Sequence, residues 1–285
     1  MSSLPLFAKR ALAATALIAL SASPATAGPF GLGKKKPAEA PAAAKPQTAG
    51  KASPAAPVRA TTEERALVGR QPPLAQAAFW AQEVTRDPRD AEAGVKFSAA
   101  LRGIGKPAEA AGAAEAVLAL QPDHLDALLE LARARIAQGE PFHAIAPVKK
   151  AQLLSPRDWR AASLLGVAYE AVDRAPEART AWEAALALSP ENAGVLANLG
   201  LSWAAAGDLP RAEGLLRRAA ARPEAGAKVR QNLALVLGLQ GKTSEAERLI
   251  RDDLPPAQAA ANLQWLKTAA GAGAGRSWDA VKANP

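Results

Sequence analysis

A repeat of 34 residues runs through most of the chain and constrains its fold more than any other feature. Two residue types recur at this spacing: prolines at Pro88, Pro122, Pro156 and Pro190, and alanines at Ala110, Ala144, Ala178, Ala212 and Ala246. A unit of this length is typical of a helical hairpin that cannot bury its apolar face alone, so that neighbouring units must stack. The period therefore predicts a solenoid, whose usual work is binding rather than catalysis.

The third unit, residues 159–192, shows the internal pattern most clearly. Small residues at Gly166 and Ala178 allow two antiparallel helices to approach closely, and a bulky side chain there would overpack the contact. Large side chains at Tyr169 and Trp182 are expected to fill the space between successive hairpins. The unit thus alternates small contacts with large wedges, as two closely packed helices require.

The turn inside each hairpin is marked by two kinds of residue. The first kind suits the left-handed backbone after a helix end: Gly105, Gly139, Gly207 and Gly241, with Asp173 in the third unit. The second kind suits a helix start, where a missing N–H is harmless: Pro107, Pro141, Pro176 and Pro210. Both ends of the turn are therefore specified locally.

The pattern is that of the tetratricopeptide repeat (TPR), which implies an all-α, right-handed α-α superhelical solenoid. We predict about five hairpins, at residues 91–124, 125–158, 159–192, 193–226 and 227–256. A lone helix is expected at residues 74–85, before the first hairpin. A capping helix at 257–270, with Leu263 and Leu266 turned inward, would cover the last one. The TPR domain is thus placed at residues 74–270, followed by a flexible tail at 271–285.

The N-terminus resembles a secretory signal peptide at residues 1–27. Lys9 and Arg10 precede the apolar stretch 11–22, and an A-T-A sequence predicts cleavage between Ala27 and Gly28. A retained, marginal anchor is the alternative. The sequence has no cysteine, so we expect neither disulfides nor the acylated thiol of a bacterial lipoprotein. The expected location is the periplasm, with any outer-membrane association made through a partner.

Residues 28–73 form a segment rich in proline, alanine and lysine, for which we predict a disordered linker. Most of the formal charge of +8 lies at this end of the chain, because residues 28–60 carry six cations and one glutamate. The repeats are close to neutral and lack the basic face that phosphate binding requires, so no nucleic acid is expected. The linker is either a solvated spacer or a weak contact with anionic peptidoglycan or lipid headgroups.

The first helix of each unit is expected to line the concave surface and to carry the partner-binding residues. Asn198 and Asn232 are the leading candidates, because they are 34 residues apart, each just before a core leucine, and their amides could bind a peptide backbone. The alternative is that they only satisfy neighbouring backbone groups. The other outward candidates are Glu92, Lys96, Asp126, Glu130, Arg133, Arg160, Lys228 and Gln231.

No catalytic, cofactor-binding or metal-binding constellation is apparent in the sequence, and we predict that the protein is not an enzyme. His124 and His143 lie apart, without cysteine or paired carboxylates at metal-ligand spacing. The run G-L-G-K-K at residues 31–35 lies in the linker, with neither a strand before it nor a helix after it, as a phosphate-binding loop would need.

The C-terminal stretch from Val229 to Leu266 resembles the end of TadD-type proteins of the Flp (tight adherence, type IVb) pilus assembly system. The resemblance rests on V-R-Q-N-L-A-L-V-L-G-L-Q-G-K and on S-E-A-E-R-L-I-R-D-D-L-P-P-A-Q-A-A-A-N-L-Q-W-L, of which D-L-P-P-A-Q-A-A-A-N is not demanded by the repeat. It implies an exported adaptor that contacts the outer-membrane secretin or other pilus components. Such proteins are commonly lipoproteins, and the missing cysteine departs from that pattern.

Two alternatives to the pilus interpretation remain at the level of sequence. One is a periplasmic TPR scaffold for another envelope process, such as peptidoglycan or outer-membrane assembly. The other is a non-catalytic regulator of a cell-wall enzyme. The sequence does not distinguish an extended peptide from a helix as the ligand of the concave surface.

Overall fold

The structure, a computed structural model, describes residues 59–253 together with 255, 256, 259, 260 and 264. Within these residues the chain is helical, with twelve named helices and no strand. Their bounds are α1 Thr62–Val68, α2 Pro73–Arg86, α3 Ala91–Gly103, α4 Pro107–Leu120, α5 Leu125–Ala137, α6 Pro141–Leu154, α7 Trp159–Glu170, α8 Ala175–Leu188, α9 Ala193–Ala205, α10 Leu209–Ala220, α11 Ala227–Leu239 and α12 Thr243–Asp253.

Helices α3 to α12 form five hairpins, one in each of the predicted units. The two helices of a hairpin pack against each other, and the second helix of each hairpin packs on the first helix of the next. The predicted fold class, an all-α superhelical TPR solenoid, is therefore confirmed. The predicted signal peptide and the predicted tail from residue 271 lie outside the described residues, as do Leu263 and Leu266 of the predicted capping helix.

The turns adopt the backbone that their residues predict. Positive φ angles occur at the predicted positions: 77° at Gly105, 83° at Gly139, 87° at Gly207, 79° at Gly241 and 60° at Asp173. In the first hairpin the N–H of Lys106 donates to the carbonyl of Leu101, closing the end of α3. The prolines that follow occupy the first or second position of α4, α6, α8 and α10. Local chemistry therefore sets both ends of each turn.

The repeated alanines lie at the centre of the solenoid. All five, from Ala110 to Ala246 at intervals of 34 residues, have no exposed surface. A methyl group is the largest side chain that fits where two helices approach this closely. None of the described helices has the length and apolar character needed to cross a membrane.

The linker prediction is wrong for its C-terminal part, because α1 at Thr62–Val68 forms where disorder was expected up to residue 73. A capping box begins this helix: Thr61 accepts a hydrogen bond from the N–H of Glu64, and the Glu64 carboxylate accepts from the N–H of Thr61. At the other end, Val68 is buried in a small cluster that also contains Trp80 and Ala93. The ordered domain therefore extends at least to residue 59 of the described chain.

A buried carboxylate holds this N-terminal segment in place. Glu83 is 2% exposed and accepts hydrogen bonds from Arg65 at 2.7 Å, Arg86 at 2.7 Å and the backbone N–H of Ala60 at 3.0 Å. Arg65 also donates to Asp90 at 2.6 Å. The sequence prediction considered only apolar residues, and it therefore missed a segment held largely by charged hydrogen bonds.

Candidate protein-binding surface

The first helices of the five hairpins form the inner side of the stack. Neighbouring first helices contact each other directly, whereas contacts between successive second helices are few or lacking in the described part of the chain. Helices on the shorter arc of a curved stack come closer together than those on the longer arc. We therefore call the surface formed by α3, α5, α7, α9 and α11 the concave face.

Gly200 identifies the side of α9 that packs against α10, the second helix of the same hairpin. A Cβ added at Gly200 would lie 3.0 Å from Cγ of Leu216 on α10. Because successive residues turn by about 100°, Asn198 and Ala205 lie on the opposite side of the helix, with Leu201 beside them. This stripe of α9 therefore faces the concave surface.

Asn198 and Asn232 occupy equivalent places on α9 and α11, as predicted. Both side chains are partly exposed, and neither amide has a hydrogen-bond partner among residues 59–253. Each amide could therefore offer a donor and an acceptor to a bound chain. The alternative interpretation, in which these amides satisfy neighbouring backbone groups, has no support in the described contacts.

Two leucines complete this part of the concave face, and the sequence analysis missed them. Leu201 and Leu235 follow the two asparagines by three residues, so that each lies one turn along the same side of its helix. Both remain partly exposed, and Leu235 packs against the buried core of the last hairpins. The spacing of an amide and a leucine at i and i+3, repeated after 34 residues, was the signal that could have identified them.

The other predicted residues at this end are Lys228 and Gln231 on α11. Lys228 is exposed and forms no ion pair with any residue between 59 and 253, and Gln231 is half-buried without a hydrogen bond there. The α9–α11 part of the concave face thus combines unpaired amides, one unpaired cation and two partly exposed leucines.

Glu130 and Arg133, both predicted as partner contacts, bind each other on α5. The carboxylate of Glu130 is buried and accepts from Arg102 Nε at 2.7 Å and from Arg133 Nη1 at 3.1 Å. A ligand would have to break these bonds to use either charge, and an unpaired buried carboxylate is costly. This cluster joins α3 to α5 within the solenoid.

Arg160 is engaged in the same way. Its guanidinium donates to Asp158 at distances from 2.6 to 3.0 Å and to Asp126 at 2.8 Å. The hydrogen bonds that Arg160 donates to Asp158 raise the pKa of Arg160 and hold the pKa of Asp158 below its ordinary value. Both charges are therefore already neutralised.

Glu92 and Lys96 lie on α3, at the N-terminal end of the face. Glu92 accepts from Arg65 at 3.0 Å, so it belongs to the network that holds α1. The concave face therefore changes along the solenoid. Most of its charges on α3, α5 and α7 are engaged in ion pairs, whereas Asn198, Lys228, Gln231 and Asn232 on α9 and α11 have no partner among residues 59–253.

The two histidines have ordinary structural surroundings. His124 caps α5 by accepting from the N–H of Ala127 at 3.2 Å, and Nδ1 of His143 lies 3.4 Å from a carboxylate oxygen of Glu140. Within the described residues no group of three or more histidine, aspartate or glutamate side chains is arranged to hold a metal ion.

Comparison with known proteins identifies the fold through solved structures. No protein-family model matches the chain, and no curated protein matches it. The thermophilic TPR protein TTC0263 of Thermus thermophilus is 21% identical with a TM-score of 0.56, covering 62% of this chain and 99% of its own. The Cut9-Hcn1 hetero-tetramer of the APC/C is 19% identical with a TM-score of 0.59, covering 71% of this chain.

A human IFIT1 dimer with m7Gppp-AAAA gives a TM-score of 0.59 at 17% identity, over 67% of this chain. This chain spans 49% of the IFIT1 chain and 44% of the Cut9-Hcn1 chain. Identities this low establish the architecture alone, since one fold serves many functions. The chain therefore has the architecture of a tetratricopeptide-repeat solenoid.

Proposed function

We propose that this protein is a periplasmic TPR adaptor that supports assembly of the Flp (Tad, type IVb) pilus by binding protein partners. It acts by binding, without a catalytic step or a cofactor. The observation that carries the binding proposal is the pair of unbonded amides, Asn198 and Asn232, beside the partly exposed Leu201 and Leu235 on the concave face.

These four residues suit a segment of polypeptide. Each asparagine can donate to a backbone carbonyl and accept from a backbone N–H, and the leucines provide apolar surface between these polar contacts. Packed helices lie roughly 8–10 Å apart, about the length of three residues of extended chain. One extended segment of a partner can therefore reach both amides.

The assignment to pilus assembly rests on the stretch from Val229 to Leu266 that resembles TadD-type proteins. Part of that stretch holds the last hairpin together, because Arg230 donates three hydrogen bonds of 2.5–2.9 Å to Asp253. Asn232 lies in the same stretch and has no hydrogen-bond partner among residues 59–253. The resembling segment therefore contains both a structural contact and a candidate binding residue.

The export part of the proposal rests on the signal-like sequence at residues 1–27, with cleavage between Ala27 and Gly28. The proposed partners are the outer-membrane secretin or other components of the pilus apparatus. The predicted charged residues on α5 and α7 are already bound in ion pairs. The α9–α11 part of the concave face is therefore the region whose polar groups are available to bind such a partner.

A pull-down from the periplasm tests both parts of the proposal. The exported protein, tagged at its C-terminus, is cross-linked in cells, captured and analysed by mass spectrometry. Recovery of the secretin or other pilus-assembly proteins is the expected result. Recovery of cell-wall enzymes or unrelated outer-membrane proteins would instead favour one of the other envelope functions.

The same capture with two variants tests the site. Asn198→Ala combined with Asn232→Ala should release the partner, whereas Gln121→Ala, which removes an exposed amide at the end of α4, should retain it. Equal capture by both variants would show that the α9–α11 surface is not the binding site.

A further inference from the structure

The outer side of α6 carries large apolar residues that the solenoid does not bury. Phe142 is 70% exposed and Leu153 is 82% exposed, the two most exposed large hydrophobic residues among those described. With Ala146 and Lys149 they lie at i, i+4, i+7 and i+11, which places all four within an arc of about 60° on one side of the helix. The buried residues of α6, Ala144, Val148 and Ala151, lie on the other side.

This apolar stripe is not a requirement of the repeat. At the same four register positions, 34 or 68 residues away, the second helices α4, α8 and α10 carry small, polar or charged residues, all of them exposed. They are Ala108, Gly112, Glu115 and Ala119 near α4; Pro176, Thr180, Glu183 and Ala187 on α8; and Pro210, Gly214, Arg217 and Ala221 near α10. Packing of the hairpins therefore does not explain Phe142 and Leu153.

The charges of α6 are also unlike those of its neighbours. From residue 141 to residue 157 the chain contains Lys149, Lys150 and Arg157 but no aspartate or glutamate, whereas every other second helix contains at least one. Lys150 pairs with Asp123 at 2.8 Å, but Lys149 and Arg157 form no ion pair with any residue from 59 to 253. Exposed apolar side chains and one unpaired cation, Lys149, thus share α6, and Arg157 follows three residues after its end.

We propose that the outer side of α6 docks on an anionic lipid surface. A helix that lies in a membrane interface inserts large apolar side chains below the headgroups, while its lysines and arginines bind anionic headgroups. Phe142 and Leu153 are separated by about 16 Å along the helix axis. They can therefore enter the surface together when α6 lies parallel to it, with Lys149 between them.

The composition of the N-terminal segment favours the same kind of contact. The segment at residues 28–60 carries six cations against one glutamate, which adds attraction to an anionic surface. The docking surface is outside the concave face, so a lipid-bound molecule keeps that face open to a protein partner.

A site-specific fluorescent probe tests this contact directly. Because the chain has no cysteine, Ala146→Cys provides a single attachment point for a polarity-sensitive dye in the middle of the stripe. Gly214→Cys is the matched control, since it has the same register on α10 and open space around its Cβ. Residues 28–285, the exported form predicted above, are mixed with vesicles of phosphatidylcholine alone or with phosphatidylglycerol.

The expected result is a blue shift of the dye at position 146 with vesicles that contain phosphatidylglycerol, and little change at position 214. Adding Phe142→Gln and Leu153→Gln should reduce the vesicle affinity reported at position 146 by about tenfold or more. Leu67→Gln with Leu74→Gln, which removes two exposed leucines elsewhere, should leave that affinity unchanged.

Four outcomes would overturn the proposal. Equal shifts at positions 146 and 214 would assign vesicle binding to the N-terminal segment rather than to α6. The absence of a shift at position 146, or a shift that survives loss of Phe142 and Leu153, would exclude docking by these side chains. A shift that appears without vesicles as protein concentration rises would assign the surface to a second copy of the chain.

Discussion

Trp182 lies directly against Gly166, where a Cβ would be only 2.5 Å from the indole Nε1. The indole N–H donates to the carbonyl of Ser163 at 3.1 Å, which fixes the ring over α7. The sequence pattern suggested that Gly166 lets the helices approach. In the structure, the lack of a side chain at Gly166 leaves room for the indole ring of Trp182 between α7 and α8.

Gly166→Ala should therefore destabilise the protein, by about 1–3 kcal/mol, because neither the bonded indole nor the helix can move away cheaply. Gly112→Ala is the matched control, since Gly112 lies within α4 with nothing near its Cβ. That substitution should stabilise the fold by about 0.5–1 kcal/mol. Urea unfolding followed by circular dichroism measures both, and equal stabilities of the two variants would contradict the packing argument.

Glu83→Gln should loosen α1 and the end of α2. Removing the charge leaves Arg65 partly buried with fewer partners, at a cost of about 2–4 kcal/mol. Amide hydrogen exchange should accelerate in α1 and α2 while the last three hairpins stay protected, because solenoid repeats contact only their neighbours. Uniform acceleration along the whole chain would argue against a local contact.

The same contact predicts how stability depends on pH. Burial alone would raise the pKa of Glu83, but hydrogen bonds from Ala60, Arg65 and Arg86 together hold it below its ordinary value. For Asp90, burial is likewise outweighed by hydrogen bonds from Arg65 and the N–H of Ala93. A carboxyl with a lowered folded pKa stabilises the fold fully above its unfolded pKa, and this contribution is lost as the pH falls through the folded value.

Protection of α1 and α2 should accordingly be constant near neutral pH and decline in acid, below the ordinary glutamate pKa. The Glu83→Gln variant should show a smaller decline, because one of the two carboxyls has been removed. Hydrogen exchange at a series of pH values, corrected for intrinsic rates, checks this. Parallel pH profiles for the two proteins would exclude Glu83 as a source of the dependence.

The double substitution Asn198→Ala and Asn232→Ala should weaken partner binding while leaving the free energy of unfolding almost unchanged. Because neither amide has a hydrogen bond within residues 59–253, the double variant should lose no more than about 0.5 kcal/mol of unfolding free energy. Partner affinity should nevertheless fall, as proposed for the concave face. Thermal unfolding of the purified variant measures the first part, and a loss of several kcal/mol would show that the amides are structural.

Asp253→Asn should free the end of the last hairpin. The three hydrogen bonds from Arg230 raise the pKa of that arginine and tie the start of α11 to the end of α12. Exchange should accelerate at the end of α12, whereas Asp252→Asn, at the exposed neighbouring position, should have little effect. If both variants behave alike, this ion pair does not secure the hairpin.

The repeat register and the turns could be predicted because each depends on residues close in sequence. The left-handed backbone at Gly105 and the helix start at Pro107 are set by the conformations that these residues prefer. The end of the linker could not be predicted in this way. Arg65 is held in place by carboxylates that are 18 and 25 residues away in the sequence, and no local sequence pattern indicates such a partner.

Only part of the candidate site could be predicted from the sequence. Glu130 and Asn198 are each the sixth residue of their unit, and the repeat pattern predicts an outward side chain at this place in both. In the structure Glu130 is buried and forms ion pairs, whereas Asn198 has no hydrogen-bond partner among residues 59–253. The difference comes from Arg102 on the preceding hairpin, which reaches across to Glu130. Pairing between hairpins therefore decides which polar residues remain for a partner.

By itself, the sequence determined the number of hairpins, their register and the buried alanines, because a 34-residue period and the choice of small residues leave one way to stack the units. Only the tertiary structure decided which charges neutralise each other, where the ordered domain begins and that Phe142 and Leu153 share an unburied side of α6. Those features depend on distances between side chains from different helices, and such distances exist only once the hairpins have stacked.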